Sequence, residues 1–87
     1  MATNYDQVSV GTTATTIISS NTNAKTRKIE NIGSNTVYVG GDTSITTSNS
    51  FPIEPGETLD ISDFTGVVYG IVAASTEDVS YIEEDFQ

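Results

Sequence analysis

The stretch Asn31-Ile32-Gly33-Ser34-Asn35-Thr36-Val37-Tyr38-Val39-Gly40-Gly41 decides the fold class of this chain. Asn-Ile-Gly-Ser-Asn is turn chemistry: Asn and Ser side chains hydrogen-bond to nearby backbone, and Gly takes positive φ at no steric penalty. Thr36-Val37-Tyr38-Val39 is β-branched and aromatic, which suits a pleated, half-buried surface. Gly40-Gly41-Asp42 then breaks the run again.

The same grammar extends in both directions. Towards the N-terminus, Val8-Ser9-Val10 is stopped by Gly11, and Ala14–Ser19 is rich in β-branched residues. Ser20–Asn23 is a turn or loop. Thr26–Asn31 alternates imperfectly, with Arg27, Ile29 and Asn31 on one face and Thr26, Lys28 and Glu30 on the other. Towards the C-terminus, Ser44–Thr47 reads as a short edge strand or an irregular crossing. Phe51-Pro52-Ile53 belongs at an edge or strand start, because Pro donates nothing to a ladder. Glu54-Pro55-Gly56-Glu57 reads as a type II turn, with Pro presetting φ and Gly supplying the positive φ that follows. Thr58–Ile61 puts Leu59 and Ile61 on one face. Val67–Ala73 is nearly all apolar and reads as a central strand, in which Gly70 marks close packing or a bulge. Ser75-Thr76-Glu77 turns the chain into a last strand, Asp78–Glu83.

Seven to eight short strands, with turn signals every 8–12 residues or so, predict an all-β fold. The expected architecture is a small antiparallel β-sandwich, jelly-roll-like or barrel-like, with the sandwich preferred to a closed barrel. The expected core is Val10, Ile17, Ile29, Val37, Val39, Phe51, Ile53, Leu59, Ile61, Val68, Ile71 and Val79. Residues 1–7 are expected as a flexible N-terminal arm, 8–84 as one β-sandwich domain and 85–87 as an acidic tail.

Eighty-seven residues make a small domain with a modest core, and neither His nor Cys is present. Disulfides cannot reinforce it, so oligomerisation is an expected source of stability. The formal charge of −9, from twelve acids against three bases, argues against binding nucleic acid or anionic membranes. Met1–Gln7 lacks a basic region followed by an apolar run, so no secretory leader is expected. No apolar stretch approaches the ~20 residues that span a bilayer.

The missing imidazole and thiol remove the commonest general base, nucleophile and metal ligands, and no nucleophile elbow or phosphate loop is present. Asp60 with Asp63, or Glu54 with Glu57, lack the spacing of a calcium loop and read better as solvated carboxylates. A glycosidase cleft between two carboxylates has little room in so small a sandwich. No enzymatic activity, cofactor or metal is expected.

What remains is a surface for contact. Lys25, Arg27 and Lys28 fall within four positions, whereas nine of the twelve acids lie after residue 53. This basic spot either meets an acidic rim on a neighbouring subunit or pairs within its own chain. Exposed pairs contribute only ~0–1 kcal/mol, which favours the second reading. Tyr5 and Phe86, near the termini, are candidate anchors for a neighbour, since aromatics are enriched at interfaces. The candidate interface is therefore Tyr5, Lys25, Arg27, Lys28 and Phe86.

Asn31–Gly41, with Asn49-Ser-Phe-Pro-Ile-Glu-Pro-Gly-Glu-Thr-Leu-Asp-Ile61 and Gly66-Val-Val-Tyr-Gly-Ile-Val-Ala-Ala74, resembles small structural proteins of tailed bacteriophage particles. The resemblance covers roughly residues 8–84 and rests on turn and strand patterns. It implies a virion component, most commonly a decoration or cement protein seated on the assembled head. The implied partners are the major capsid protein and further copies of the chain, with a trimer favoured. The implied location is the capsid surface, after synthesis in the host cytoplasm. Some such proteins use an N-terminal arm that orders on the capsid, a part Met1–Gln7 would play. The alternative is a tail, fibre or head-spike component that binds host surface glycans, and a carbohydrate-binding module of a cellular enzyme is a third reading.

Overall fold

The computed structural model describes residues 3–85 and contains eight strands in two four-stranded antiparallel sheets. The strands are β1 (Thr3–Val10), β2 (Thr15–Ile18), β3 (Ala24–Asn31), β4 (Val37–Gly40), β5 (Phe51–Ile53), β6 (Thr58–Ser62), β7 (Val68–Ile71) and β8 (Glu77–Asp85). One sheet has the order β1-β8-β3-β6 and the other β2-β7-β4-β5. The pairs β1–β8, β2–β7, β3–β6 and β4–β5 nest inside one another, so the chain forms one long ribbon that doubles back between β4 and β5. Folding that ribbon across two sheets gives the jelly-roll order, one of the ways an all-β chain buries a two-sided core. The molecule measures 39 × 24 × 16 Å, a thin slab with two broad faces.

The core lies between the sheets: Val10, Ile17, Ile18, Ile29, Val37, Val39, Ile53, Val68, Val72 and Val79, with Val8, Leu59, Ile61 and Tyr81 packed at its margin. Two expected core residues are displaced from it. Val68 and Ile71 are an odd number of positions apart, so a regular strand cannot turn both inward. Val68 is buried and Ile71 is only half-buried, while Val72 takes the inward place. Phe51 pairs with Val39 but sits at the first position of a three-residue edge strand, where it is 57% exposed. Ile18 enters the core because the β2–β7 register shifts between Thr16 and Ile18. Such a bulge lets Ile17 and Ile18 both turn inward.

Two glycines are fixed by geometry. Gly56 has φ 83° and Glu57 N–H donates to Glu54 O at 2.9 Å, which closes the type II turn. Gly70 packs so closely that a Cβ would lie 2.6 Å from Ile17 Cδ1. The Asn31–Asn35 turn is held from two sides. Asn31 Nδ2 donates to Asn35 O and Ile53 O, both at 2.8 Å, and Gly33 N–H donates to Asn31 Oδ1 at 2.9 Å. Buried Glu77 accepts from Ser34 N–H at 2.8 Å and from Asn35 Nδ2 at 2.7 Å.

Thr3–Gln7, expected within a flexible arm, instead continue β1 and pair residue by residue with β8. The long final strand supplies the template, and Asn4 Nδ2 adds a hydrogen bond to Glu83 Oε1 at 2.9 Å. Asp85, expected in the tail, ends β8. Ser44–Thr47 forms no strand and is tied into turns, with Thr46 N–H donating to Asn49 Oδ1 at 2.7 Å.

Candidate interaction surface

Across the β1-β8-β3-β6 sheet, backbone register places Tyr5 opposite Ile82, Ile82 opposite Lys28 and Lys28 opposite Asp60. This row lies on the face turned away from the core. Tyr5 is 73% exposed and Ile82 is 46% exposed. Directly opposed side chains on one sheet face stand ~5 Å apart, so the two form a continuous apolar step. Ile82 stands between two shallow depressions. The larger, about 460 Å³, is bounded by Tyr5, Lys28, Glu30, Thr58 and Ser80. The smaller, about 270 Å³, is bounded by Thr3, Thr26, Lys28 and Glu84. Lys28 borders both, and Glu30, Asp60, Asp78 and Glu84 make the surrounding face acidic.

The candidate interface residues therefore divide. Tyr5 and Lys28 share this face. Lys25 is exposed at the start of β3. Phe86 lies outside the described residues. Arg27 does not belong to the surface: it is 1% exposed and turned into the sandwich, on the same side of β3 as Ile29 and Asn31. Its Nε donates to Glu83 Oε2 at 2.7 Å, Nη1 to Gly66 O at 2.6 Å and Nη2 to Ser19 O at 3.0 Å. The guanidinium also lies over the Phe64 ring, 5.8 Å from its centroid. Glu83 is satisfied in turn by Asn4 Nδ2 at 2.9 Å and Asn21 Nδ2 at 3.0 Å. Burial pushes the Glu83 carboxyl up, but hydrogen bonds from Asn21, Asn4 and Arg27, with the Arg27 charge, outweigh it and hold the group below its ordinary value. The Arg27–Glu83 pair thus ties β3 to β8 within one sheet, and Arg27 reaches across to the other through Ser19 O and Gly66 O.

Ile82 and Glu83 carried a signal in the sequence that charge and aromatic content did not reveal. Val79, Tyr81 and Glu83 share one parity, so the apolar Ile82 necessarily faces out and the charged Glu83 faces in. A second apolar feature lies at the end of the sandwich, a cleft of about 260 Å³ lined by Val39, Gly40, Gly41, Phe51, Ile61, Phe64 and Val68.

Of the acids considered from sequence, Asp60 stands in β6 opposite Lys28, and Glu54 and Glu57 are engaged at the turn between β5 and β6. Glu57 accepts from Glu54 N–H at 2.9 Å, and Glu54 accepts from Thr36 Oγ1 at 2.9 Å. Among the described residues, no group of three or more acids converges as a metal site would require. Comparison of the chain with protein-family models, curated proteins and solved structures finds no match.

Proposed function

We propose that this chain is a virion structural protein of the decoration type, which binds the outside of a bacteriophage head and bridges neighbouring capsid subunits. The observation that carries the reading is the Tyr5–Ile82–Lys28 row on a broad face of a thin slab. An exposed aromatic and an exposed aliphatic side by side are the residue types that anchor protein contacts, and the polar residues around them form the rim. The bacteriophage assignment rests on the sequence resemblance, since a jelly roll hosts many functions.

The mechanism is additive. Each copy contributes a small patch, and particle symmetry repeats it over the shell. Binding the mature lattice in preference to its precursor stabilises that lattice by mass action. Bridging two subunits makes the second contact effectively intramolecular. The major capsid protein is the partner in this reading.

Purified chain mixed with undecorated heads and sedimented tests the proposal. The native chain is expected in the pellet, and Ile82→Asp in the supernatant. A native chain that stays in the supernatant, or a variant that pellets equally well, overturns it. The Phe51–Phe64 cleft favours a second reading, a tail, fibre or spike component that takes a host glycan against its aromatic walls. Glycan binding lost in Phe51→Ala and retained in Ile82→Asp would support that alternative.

A further inference from the structure

The two sheets expose four edge strands, β1, β6, β2 and β5. Three are blunted in the ways natural proteins protect edges. β5 has three residues and contains Pro52, and β2 has four residues and a bulge. β6 has five residues, bounded by the Pro55–Gly56 turn and by Asp63 at φ 65°. β1 differs: it has eight residues, an unbroken register with β8, no proline, no lysine and a single charge, Asp6. Among the described residues, no strand pairs with its outer edge. A long edge of this kind presents backbone donors and acceptors that another extended strand satisfies, with Gln7 N–H held by Asp6 Oδ1 at 2.8 Å.

We infer that β1 pairs antiparallel with β1 of a second copy, about a two-fold axis through Tyr5, joining two sheets into one of eight strands. The side chains select this occupant and this register. A two-fold normal to the sheet sets residues of the same face opposite each other. Centred on Asp6, it opposes two carboxylates, which is unfavourable. Centred on Gln7, it sets Asp6 against Val8, so the partner offers the carboxylate no donor beyond the Gln7 N–H of its own strand, already 2.8 Å away. Centred on Tyr5, it sets Tyr5 against Tyr5 and Asn4 against Asp6 on both sides of the axis. Asn4 Nδ2 spends one hydrogen on Glu83 and has a second for the partner's carboxylate. The outer face then carries Ile82, Tyr5, Tyr5 and Ile82 as one unbroken apolar strip, twice the length of that on one copy. The β1 pairing rests on β1 itself, whether or not the particle is a phage head.

The chain contains no Cys, so single-cysteine variants report the register directly. Tyr5→Cys is expected to give a disulfide-linked dimer on mild oxidation. Ser9→Cys is not, because that position lies four residues from the axis in each copy, a span of about 26 Å at ~3.3 Å per residue. In light scattering the native chain is expected at twice its 9.2 kDa mass, more firmly at high salt, which screens the repulsion between two chains of charge −9. Tyr5→Lys, at an exposed position, is expected to keep the native circular dichroism and to associate about tenfold more weakly. A native monomer at millimolar concentration, a trimer, or equal cross-linking of both cysteine variants overturns the inference. A monomer that still pellets with heads removes the dimer and leaves the decoration reading intact. A dimer that ignores heads does the reverse.

Discussion

Arg27 donates its Nε–H to Glu83 Oε2 at 2.7 Å with both side chains almost wholly removed from water. The pair ties β3 to β8, and the remaining Arg27 donors reach carbonyls of Ser19 and Gly66 that flank strands of the opposite sheet. Removing one member leaves the other charged and unpaired in the interior, which typically costs about 3–5 kcal/mol. Arg27→Met is therefore expected to lower stability by about that amount in urea unfolding, and Arg27→Lys is expected to recover little, because Lys lacks the planar fork. The double variant Arg27→Met with Glu83→Met is expected to be less destabilised than the sum of the two singles.

Acid should find two weak points. Hydrogen bonds from Asn35 and Ser34 hold the Glu77 carboxyl below its ordinary value of 4.5. Glu83 is held below the same value by its partners, against the opposing effect of burial. Both groups therefore bind protons more readily in the unfolded chain. Their contribution is complete above the unfolded value near 4.5 and is lost as pH falls through the lower folded values. The melting temperature of the native chain is expected to fall with pH below that point. Glu77→Gln should be less stable at neutral pH and show a shallower acid slope, and equal slopes would count against the assignment.

Gly56 and Gly70 should fail for different reasons. At Gly56 nothing lies within 4 Å of an added Cβ, but φ is 83°. Gly56→Ala is expected to destabilise by about 1–2 kcal/mol through backbone strain alone. Gly70→Ala introduces a Cβ against Ile17 Cδ1 and Val10 Cγ1 within the core. A loss of about 1–3 kcal/mol is expected from overpacking, and Ile17→Val in the same chain should recover part of it. Chemical denaturation of the three variants checks this.

The class of fold, the type II turn and most of the core were legible from the sequence because each rests on local chemistry. Pro55-Gly56 specifies its turn, and the shared parity of Arg27, Ile29 and Asn31 correctly groups them on one face. The within-chain pairing that the weakness of exposed ion pairs favours is what Arg27 makes. Its burial, which takes it out of the candidate interface, was not legible because only the partner strand, 56 residues away, supplies the carboxylate that lets a guanidinium be buried. The polar content of residues 1–7 points to an arm, yet Thr3–Gln7 pair with β8. A polar strand is stabilised by the neighbour it pairs with, and β8 is distant in sequence. The apolar step at Ile82 needed both register and parity, so it emerged only once β1, β8 and β3 were aligned.

Substitutions on the exposed face should separate binding from folding. Tyr5→Ala and Ile82→Ala change no core contact and are expected to shift stability by no more than about 0.5 kcal/mol. Both should weaken attachment to the particle, and Lys28→Glu should weaken it further by raising the negative charge of the face. Pelleting assays alongside thermal melts distinguish the two effects.

Electron microscopy of the native particle that carries this chain tests the decoration proposal most directly. The account predicts repeated density of 39 × 24 × 16 Å on the outer surface of the head, with the β1-β8-β3-β6 face and its Tyr5–Ile82 step against the capsid. Density confined to the tail or its fibres, or a head surface on which that face points to solvent, would contradict it.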